Sequence, residues 1–190
     1  MRFLAMLAGM FMLTATAASA QTYKDPENTL LLQLKDGTVV IQMRPDKAPK
    51  HVARIKELVR KGFYDGLVFH RVIDGFMAQT GDPTGTGTSG SGQNLNAEFN
   101  DLHHVRGTVS MARASDPNSA DSQFFICFAP ATFLDGQYTG WGQVISGMEF
   151  VDKIKRGAPG SGSVTDPDKI ISMKMASDAA PAAAAQPAAQ

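Results

Sequence analysis

Short apolar runs, separated by glycine, proline, aspartate and asparagine, recur along most of this 190-residue chain and restrict the folds open to it. The first two runs, at 29–34 and 39–43, flank an Asp-Gly pair, which is a strong signal for a hairpin. Many short strands with few helices predict a barrel or sandwich rather than parallel strands joined by helices. The further runs lie at 67–73, 76–79, 107–112, 123–128, 140–145 and 169–175.

One segment has the pattern of an amphipathic helix. It begins near Pro49 and ends before Gly62, with basic residues in its last turn. We therefore predict one helix over residues 49–61, apolar on a single face. The apolar residues at helical spacing are Val52, Ile55, Leu58 and Val59.

The first twenty residues have the order of a secretory signal peptide. Arg2 gives a short cationic start, an apolar run follows from residue 3 to 18, and Ala18-Ser19-Ala20 resembles a cleavage site. The run is shorter than the roughly 20 apolar residues that normally span a bilayer, which argues against an uncleaved anchor. We expect cleavage of residues 1–20, export to the periplasm, and no stable membrane insertion afterwards.

The rest of the chain divides into a lead-in over residues 21–27, a folded domain over 28–175 and a tail over 176–190. The tail holds nine alanines and two prolines without apolar periodicity, so we expect it to be disordered. Signal cleavage removes one of 18 basic residues, Arg2, and leaves 17 against 18 acidic ones. Such a balance gives no general attraction to nucleic acid. We expect a monomer with no nucleic-acid partner.

Several common catalytic and cofactor-binding patterns are missing from the sequence. The loop at 85–90 matches G-x-G-x-x-G, but a polar segment follows it where a nucleotide site needs a helix, so a flexible surface loop is favoured. The four histidines and the single cysteine form no zinc pattern, and no G-x-S-x-G elbow occurs. We expect no metal and no cofactor, and we expect Cys127, inside an apolar run, to be buried.

One charged residue stands in an otherwise apolar run. Strand alternation places Phe69, Arg71 and Ile73 on one face. His70 and Val72 then lie on the other face. An arginine among apolar neighbours is costly unless it is paired or faces a solvated cleft. This run alone therefore leaves two interpretations of Arg71 open. It is either a functional residue or an edge residue whose side chain reaches solvent.

Four sequence blocks carry a family resemblance. The first is Phe-His-Arg-Val-Ile-x-Gly-Phe-Met-x-Gln at 69–79. The others are Ser-Met-Ala-Arg at 110–113, Ser-Gln-Phe-Phe-Ile at 122–126 and Phe-Leu-Asp-Gly-Gln-Tyr at 133–138. With these blocks in this order along residues 28–175, the chain closely resembles the cyclophilin family of peptidyl-prolyl cis/trans isomerases.

The resemblance implies both a fold and a site. The fold is mainly β, a closed eight-stranded antiparallel barrel capped by two helices, at 49–61 and about 147–154, with the active groove on its outer surface. By motif match Arg71 is the catalytic arginine. The implied substrate-binding residues are Phe76, Met77, Phe125 and Leu134 in a proline pocket, Gln79 and Gln123 in a polar groove, and Ala112, Arg113, Phe133 and Tyr138 along its edge.

Two of these residues depart from many eukaryotic members of the family. Phe133 and Tyr138 stand where those members carry tryptophan and histidine. We expect these two departures to affect binding of the drug cyclosporin more than catalysis.

The resemblance also accounts for a site with no nucleophile, metal or titrating base. Amide resonance opposes rotation of an X-Pro bond with a barrier of about 18–20 kcal/mol. In the twisted state the lone pair of the proline nitrogen localises, so a fixed donor such as Arg71 stabilises that state more than the planar one. The implied partners are proline-containing unfolded or flexible protein segments, and the implied role is folding of exported proteins.

Two other functions stay open on the sequence. A proline-binding module or holdase would keep the groove and depend little on catalysis, although binding alone does not require Arg71. A carbohydrate-binding β-domain would need a planar aromatic platform. The single tryptophan, Trp141, aligns with a core strand instead.

Overall fold

Eight antiparallel strands form one curled sheet in the computed structural model, which describes residues 22–179. Neighbouring strands pair in the order β3-β4-β6-β5-β7-β2-β1-β8. This mainly β, eight-stranded antiparallel architecture confirms what the family resemblance implies. The strands are β1 (Thr29–Leu34), β2 (Gly37–Met43), β3 (Arg71–Ile73), β4 (Met77–Thr80), β5 (Thr108–Met111), β6 (Phe124–Cys127), β7 (Gly140–Ser146) and β8 (Ser172–Met175).

The predicted N-terminal hairpin is present. Strands β1 and β2 pair in antiparallel register, with Leu34 opposite Gly37. The second strand begins at Gly37, two residues earlier than expected, because only Lys35 and Asp36 are needed for the turn. Gly37 has a φ of 154°, and a β-carbon there would overlap the ring of Phe150. This position therefore requires glycine.

The two edge strands of the sheet, β3 and β8, are the pair that a closed barrel would join. No ladder connects them within residues 22–179. The chain segments beside them meet through isolated contacts and not through a ladder. These include the bridge between Val68 and Lys169 and hydrogen bonds from Phe69 N to Asp168 O at 2.9 Å and from Ile170 N to Leu67 O at 2.8 Å. The sheet is thus a curled half-barrel, and the prediction of a closed barrel is slightly overstated.

The first predicted helix is present as α1 (Pro49–Arg60). Its expected apolar face is buried in the main core. The residue before the helix, Ala48, makes no side-chain hydrogen bond that would cap it. Instead the carboxylate of Glu98 accepts hydrogen bonds of 3.0 Å from the backbone nitrogens of Lys50 and His51. A negative group at this end also complements the helix dipole.

The second predicted helix is shorter than expected. The helix α2 (Met148–Val151) covers half of the predicted span, and hydrogen-bonded turns continue to Ile154. It begins after Gly147, whose φ of 83° lies in the left-handed region. A β-carbon at Gly147 would approach Thr38 O to 2.5 Å, so a larger residue would not fit here.

The strand that carries Arg71 is shorter than the apolar run around it. Phe69 is fully buried in the main core together with Val72, whereas Arg71 and Ile73 are half-buried. The prediction that Phe69 shares a face with Arg71 is therefore wrong. The backbone leaves the ladder before β3 begins, so strand alternation does not reach back to Phe69.

Apolar side chains fill the inside of the curled sheet. Trp141 is 0% exposed, and its ring meets the edge of Phe124 at 5.6 Å between centroids. Cys127 is also buried, and burial raises the pKa of its thiol to about 12. The expected burial of Trp141 and Cys127 is confirmed.

The predicted terminal segments are covered only in part. The signal peptide at 1–20 and residues 180–190 of the tail lie outside the described residues. Residues 176–179, assigned by sequence to the tail, contact the domain: Ala176 N donates to Thr29 O at 2.9 Å, and Asp178 pairs with Arg60 at 2.9 Å. Within residues 22–179 no helix is long and apolar enough to cross a membrane.

Candidate active site

A cavity of about 250 Å³, here named the Arg71 cavity, opens on the face of the sheet opposite the main core. Its lining contains ten of the eleven residues that the sequence assigns to the site. They are Arg71, Phe76, Met77, Gln79, Ala112, Arg113, Phe125, Phe133, Leu134 and Tyr138.

Strand alternation explains how residues distant in sequence meet in this cavity. Along β4, Ala78 enters the main core while Met77 faces the cavity. Along β6, Phe124 enters the core while Phe125 faces the cavity. The two strands are neighbours in the sheet, so their outward side chains form one surface.

The floor of the cavity is apolar and tightly packed. Met77, Phe125 and Leu134 are at most 7% exposed and belong to one apolar cluster. At its edge the rings of Phe76 and Phe133 lie 5.5 Å apart, and Phe133 is 65% exposed. A small apolar ring can therefore enter without displacing a buried polar group.

The arginine stands at the side of this apolar floor. Arg71 lies directly opposite Gln79 in the β3–β4 ladder, and its Nη1 donates to Gln79 Oε1 at 3.3 Å. Its Nε donates to Ser161 O at 3.2 Å. Within residues 22–179 its Nη2 makes no hydrogen bond, which leaves a donor for a ligand.

The eleventh predicted residue, Gln123, lies outside the Arg71 cavity but is joined to it. Gln79 Nε2 donates to Gln123 Oε1 at 2.8 Å. The amide of Gln123 in turn donates to Gly87 O at 3.1 Å and to Ser89 O at 2.8 Å. A continuous polar chain thus runs from Arg71 to the loop at 85–90.

Ala112 and Arg113 separate the Arg71 cavity from a neighbouring one. The backbone nitrogen of Ala112 donates to Gln123 O at 2.9 Å. The guanidinium of Arg113 lies 4.5 Å from the centre of the Tyr138 ring and donates from Nη2 to Gln137 O at 3.0 Å. Because these backbone bonds hold it over the ring, Arg113 forms a fixed edge.

The second cavity, of about 410 Å³, shares Gln79, Ala112 and Arg113 with the first. Most of its lining was not predicted from the sequence, because it comes from the loop at 85–90 and from residues far along the chain. Its charged residues are Arg113 and Asp121, and Asp121 accepts a hydrogen bond from Gly92 N at 2.7 Å. No local pattern could have found this pairing, because the partners are 29 residues apart. The further lining residues are Asn94, Ala114, Ser119 and Gln123.

The loop at 85–90 lies at the surface, as predicted, and one carboxylate holds it. Asp82, which is 1% exposed, accepts hydrogen bonds from the backbone nitrogens of Gly87 at 2.6 Å and Ser89 at 3.2 Å. Burial alone would raise the pKa of Asp82, but hydrogen bonds from Thr84, Ser89 and Gly87 outweigh it and lower that pKa to about 2.

The histidine next to Arg71 takes no place in the cavity. His70 is 8% exposed, and neither ring nitrogen has a hydrogen-bond partner within residues 22–179. Burial lowers its pKa below the usual 6.5, although the nearby Asp82 opposes this effect. The ring is therefore poorly placed to act as an acid or base for a ligand of Arg71.

Comparison with known proteins identifies relatives along nearly the whole domain. The family model for cyclophilin type peptidyl-prolyl cis-trans isomerases/CLD matches residues 29–175. A probable peptidyl-prolyl cis-trans isomerase of Brucella suis is 52% identical over 179 residues, which cover 87% of this chain and 91% of that protein. A peptidyl-prolyl cis-trans isomerase of Synechococcus elongatus is 44% identical over 150 residues, which cover 79% and 97%.

Solved structures give the same relationship. A cyclophilin of Hirschia baltica superposes with a TM-score of 0.74 and 30% identity, covering 83% of this chain and 77% of its own. A cyclophilin type isomerase of Cryptosporidium parvum, solved in the presence of the dipeptide Ala-Pro, superposes with a TM-score of 0.72 and 30% identity, covering 77% and 98%.

Proposed function

The chain belongs to the cyclophilin-type family of peptidyl-prolyl cis-trans isomerases, and on this premise we propose that its Arg71 cavity binds the substrate proline and that Arg71 promotes rotation of the preceding peptide bond. The enzyme class follows from the family. The roles of individual residues, the substrates and the cellular location are our proposals.

The observation that carries the residue assignment is a cation fixed beside an apolar floor. Arg71 is held by Gln79 and by Ser161 O, while Met77 and Phe125 form the floor of the same cavity. A purely apolar pocket would bind a proline ring without such a cation. The fixed donor adds a group that can act on the bond next to the ring.

Rotation of the X-Pro bond explains what that donor does. In the twisted state the proline nitrogen becomes pyramidal and gains a localised lone pair, which accepts a hydrogen bond that the planar amide cannot accept. A donor from Arg71 therefore stabilises the twisted state selectively. No bond is broken and no proton moves, so the reaction requires neither a nucleophile nor a general base.

The other residues have binding roles in this proposal. Met77, Phe125 and Leu134 hold the proline ring, while Gln79 and Gln123 contact the polar backbone beside it. Phe76 completes the proline pocket at its rim, and Ala112, Arg113, Phe133 and Tyr138 form the edge along which the peptide lies. The relative from Cryptosporidium parvum, solved in the presence of Ala-Pro, supports a proline-containing ligand of this size.

Exchange spectroscopy on proline peptides tests the proposed function. Purified protein from residue 21 onward should speed the interconversion of cis and trans signals of an Ala-Pro peptide far beyond the uncatalysed time of roughly 10–100 s. Binding of the peptide without faster exchange would favour a holdase instead. A panel that varies the residue before proline would then define substrate preference.

We propose that the enzyme acts on exported proteins in the periplasm, because residues 1–20 have the order and length of a signal peptide. N-terminal sequencing of the protein from fractionated cells tests this. Periplasmic protein that starts at Gln21 is the expected result. Membrane-bound protein that retains residues 1–20 would show that the segment is an anchor.

A further inference from the structure

A buried histidine lies behind the Arg71 cavity and contacts two of its walls. The side chain of His104 is 1% exposed, and its ring stacks on that of Phe125 with centroids 6.1 Å apart and an interplanar angle of 21°. Its Nε2 lies 2.9 Å from Ser110 Oγ, and its Nδ1 lies 2.9 Å from Asp135 Oδ1. The ring is therefore fixed at both nitrogens and on one face.

The hydrogen bonds define the tautomer of the neutral ring. A carboxylate only accepts, so the Nδ1–H of His104 donates to Asp135 and Nε2 accepts from the Ser110 hydroxyl. Asp135 also accepts from His104 N at 2.8 Å. Hydrogen bonds from His103 and from the backbone and ring of His104 hold the pKa of Asp135 well below its usual range.

The same histidine holds the turn that carries the opposite wall. Asp135 directly follows a short 3₁₀ turn, Thr132–Leu134, which supplies Phe133 and Leu134 to the cavity. The backbone oxygen of His104 accepts from Ala131 N, just before that turn, at 2.7 Å. Both ends of the turn are thus bonded to His104.

Ser110 connects the histidine to the strand pair beneath the cavity. It lies on β5 directly opposite Phe125 on β6, so their side chains project from the same face of the sheet. The His104 ring contacts both of them. The backbone of Phe125 alone leaves its ring free to turn about two side-chain torsions. The position of the His104 ring therefore sets the orientation of the Phe125 ring.

We infer that His104 is a positioning residue, which holds the Phe125 ring and the turn Thr132–Leu134 at the separation that the substrate proline requires. The inference rests on the proposed binding of proline in the Arg71 cavity. Apolar contacts to the ring are made in both the planar and the twisted state. Loss of the positioning should therefore raise KM and leave kcat nearly unchanged.

Two substitutions at His104 remove different hydrogen bonds. The amide of His104→Asn can replace Nδ1 toward Asp135, whereas that of His104→Gln can replace Nε2 toward Ser110. Either change should raise KM for an Ala-Pro peptide roughly threefold to tenfold, the scale of one hydrogen bond. If one variant fails to fold, as judged by circular dichroism, the other carries the test.

The neighbouring histidine is a matched control. His103 Nδ1 lies 2.9 Å from the other oxygen of Asp135, but its side chain is 76% exposed and it does not stack on Phe125. His103→Gln should leave KM within about twofold of the parent, because exposed pairs contribute little. An equal rise in KM for His103→Gln would overturn the inference, because His103 shares the contact with Asp135 but not the stack on Phe125.

A double-substitution cycle with Phe125→Leu shows whether His104 acts through the ring. In that background His104→Asn should raise KM by less than half the factor seen in the parent. An undiminished effect, an unchanged KM, or a loss confined to kcat would overturn the inference. A normal KM for Phe125→Leu would instead refute the proposed pocket. A raised KM for Phe125→Leu together with a normal KM for both His104 variants would refute only the positioning role.

Discussion

Arg71 and Gln79 are direct partners across the β3–β4 ladder, with the arginine Nη1 3.3 Å from the glutamine Oε1. The glutamine is itself fixed by its bond of 2.8 Å to Gln123. The orientation of the guanidinium therefore depends on a neutral amide that neither cancels its charge nor competes with a substrate as an anion would. This relationship explains how a partly exposed arginine can be preorganised.

Removal of the Gln79 side-chain amide should disorder the guanidinium of Arg71. In Gln79→Ala, Arg71 keeps only its bond to Ser161 O, and kcat/KM should fall roughly tenfold to a hundredfold because small misplacements of a reacting group are costly. A peptide isomerisation assay measures this. Gln33→Ala, in the distant hairpin, is the control and should keep full activity. Equal activity of both variants would contradict the role of Gln79.

Activity should vary little between pH 6 and 9. An arginine stays protonated throughout this range, and burial lowers the pKa of both His51 and His70 below 6.5. We expect kcat/KM to change by less than about twofold across the range, since no general acid or base is assigned. A steep change near pH 6.5 would implicate a histidine and contradict the mechanism.

Much of the fold could be predicted because its signals are local. The hairpin follows from an Asp-Gly pair between apolar runs, and α1 follows from apolar residues at helical spacing. The site residues were found through the four sequence blocks, not through strand periodicity. Periodicity alone failed at Phe69, because it assumes a regular strand where the backbone leaves the ladder.

The features that the sequence did not reveal depend on contacts between distant segments. Glu98 caps α1 from a loop, and Asp121 bonds a segment 29 residues away. The gap between β3 and β8 depends on how far the sheet curls, which no local pattern encodes. The position of His104 behind Phe125 likewise follows from the pairing of β5 with β6.

Asp82 should contribute a pH-dependent part of the stability. Its pKa falls from 3.8 to about 2 on folding, so its ionised form stabilises the folded state. The contribution, about 2 kcal/mol in the free energy of unfolding, is fully present above pH 4 and is lost as the pH falls through 2. Asp82→Asn should lose about this amount at pH 7 and show a shallower decline between pH 4 and 2.

Denaturant unfolding over this pH range measures the effect of Asp82. Asp166→Asn is a suitable control, because the Asp166 side chain is 98% exposed and its pairing with Lys155 is 3.8 Å long. It should change the free energy of unfolding by less than about 0.5 kcal/mol. Parallel pH profiles for the parent and Asp82→Asn would contradict the assignment.

With phenylalanine at position 133, the protein should bind cyclosporin more weakly than it would with tryptophan there. Phe133 lies at the mouth of the Arg71 cavity and is 65% exposed. By the motif match, it stands where many eukaryotic cyclophilins carry tryptophan. A phenyl ring lacks the indole N–H donor, so one hydrogen bond to the drug should be missing. The loss of that bond, about 1–3 kcal/mol, corresponds to roughly tenfold to a hundredfold weaker inhibition.

The reverse substitution tests this placement. Phe133→Trp should tighten inhibition far more than it alters kcat/KM, because Arg71 and the apolar floor are unchanged. Inhibition constants and peptide turnover measured on the same preparations separate the two effects. Inhibition of the natural protein at low nanomolar drug, or an unchanged constant in Phe133→Trp, would show that Phe133 does not contact the drug.

The central claim is that Arg71 stabilises the twisted peptide bond, and the turnover of Arg71→Ala tests it most directly. We expect kcat/KM to fall at least about a hundredfold, the scale for loss of one preorganised donor, with an unchanged circular dichroism spectrum. Arg71→Lys should restore activity only in part, because an ammonium does not reproduce the forked donors. A folded Arg71→Ala protein that isomerises Xaa-Pro peptides at a near-normal rate would contradict the mechanism.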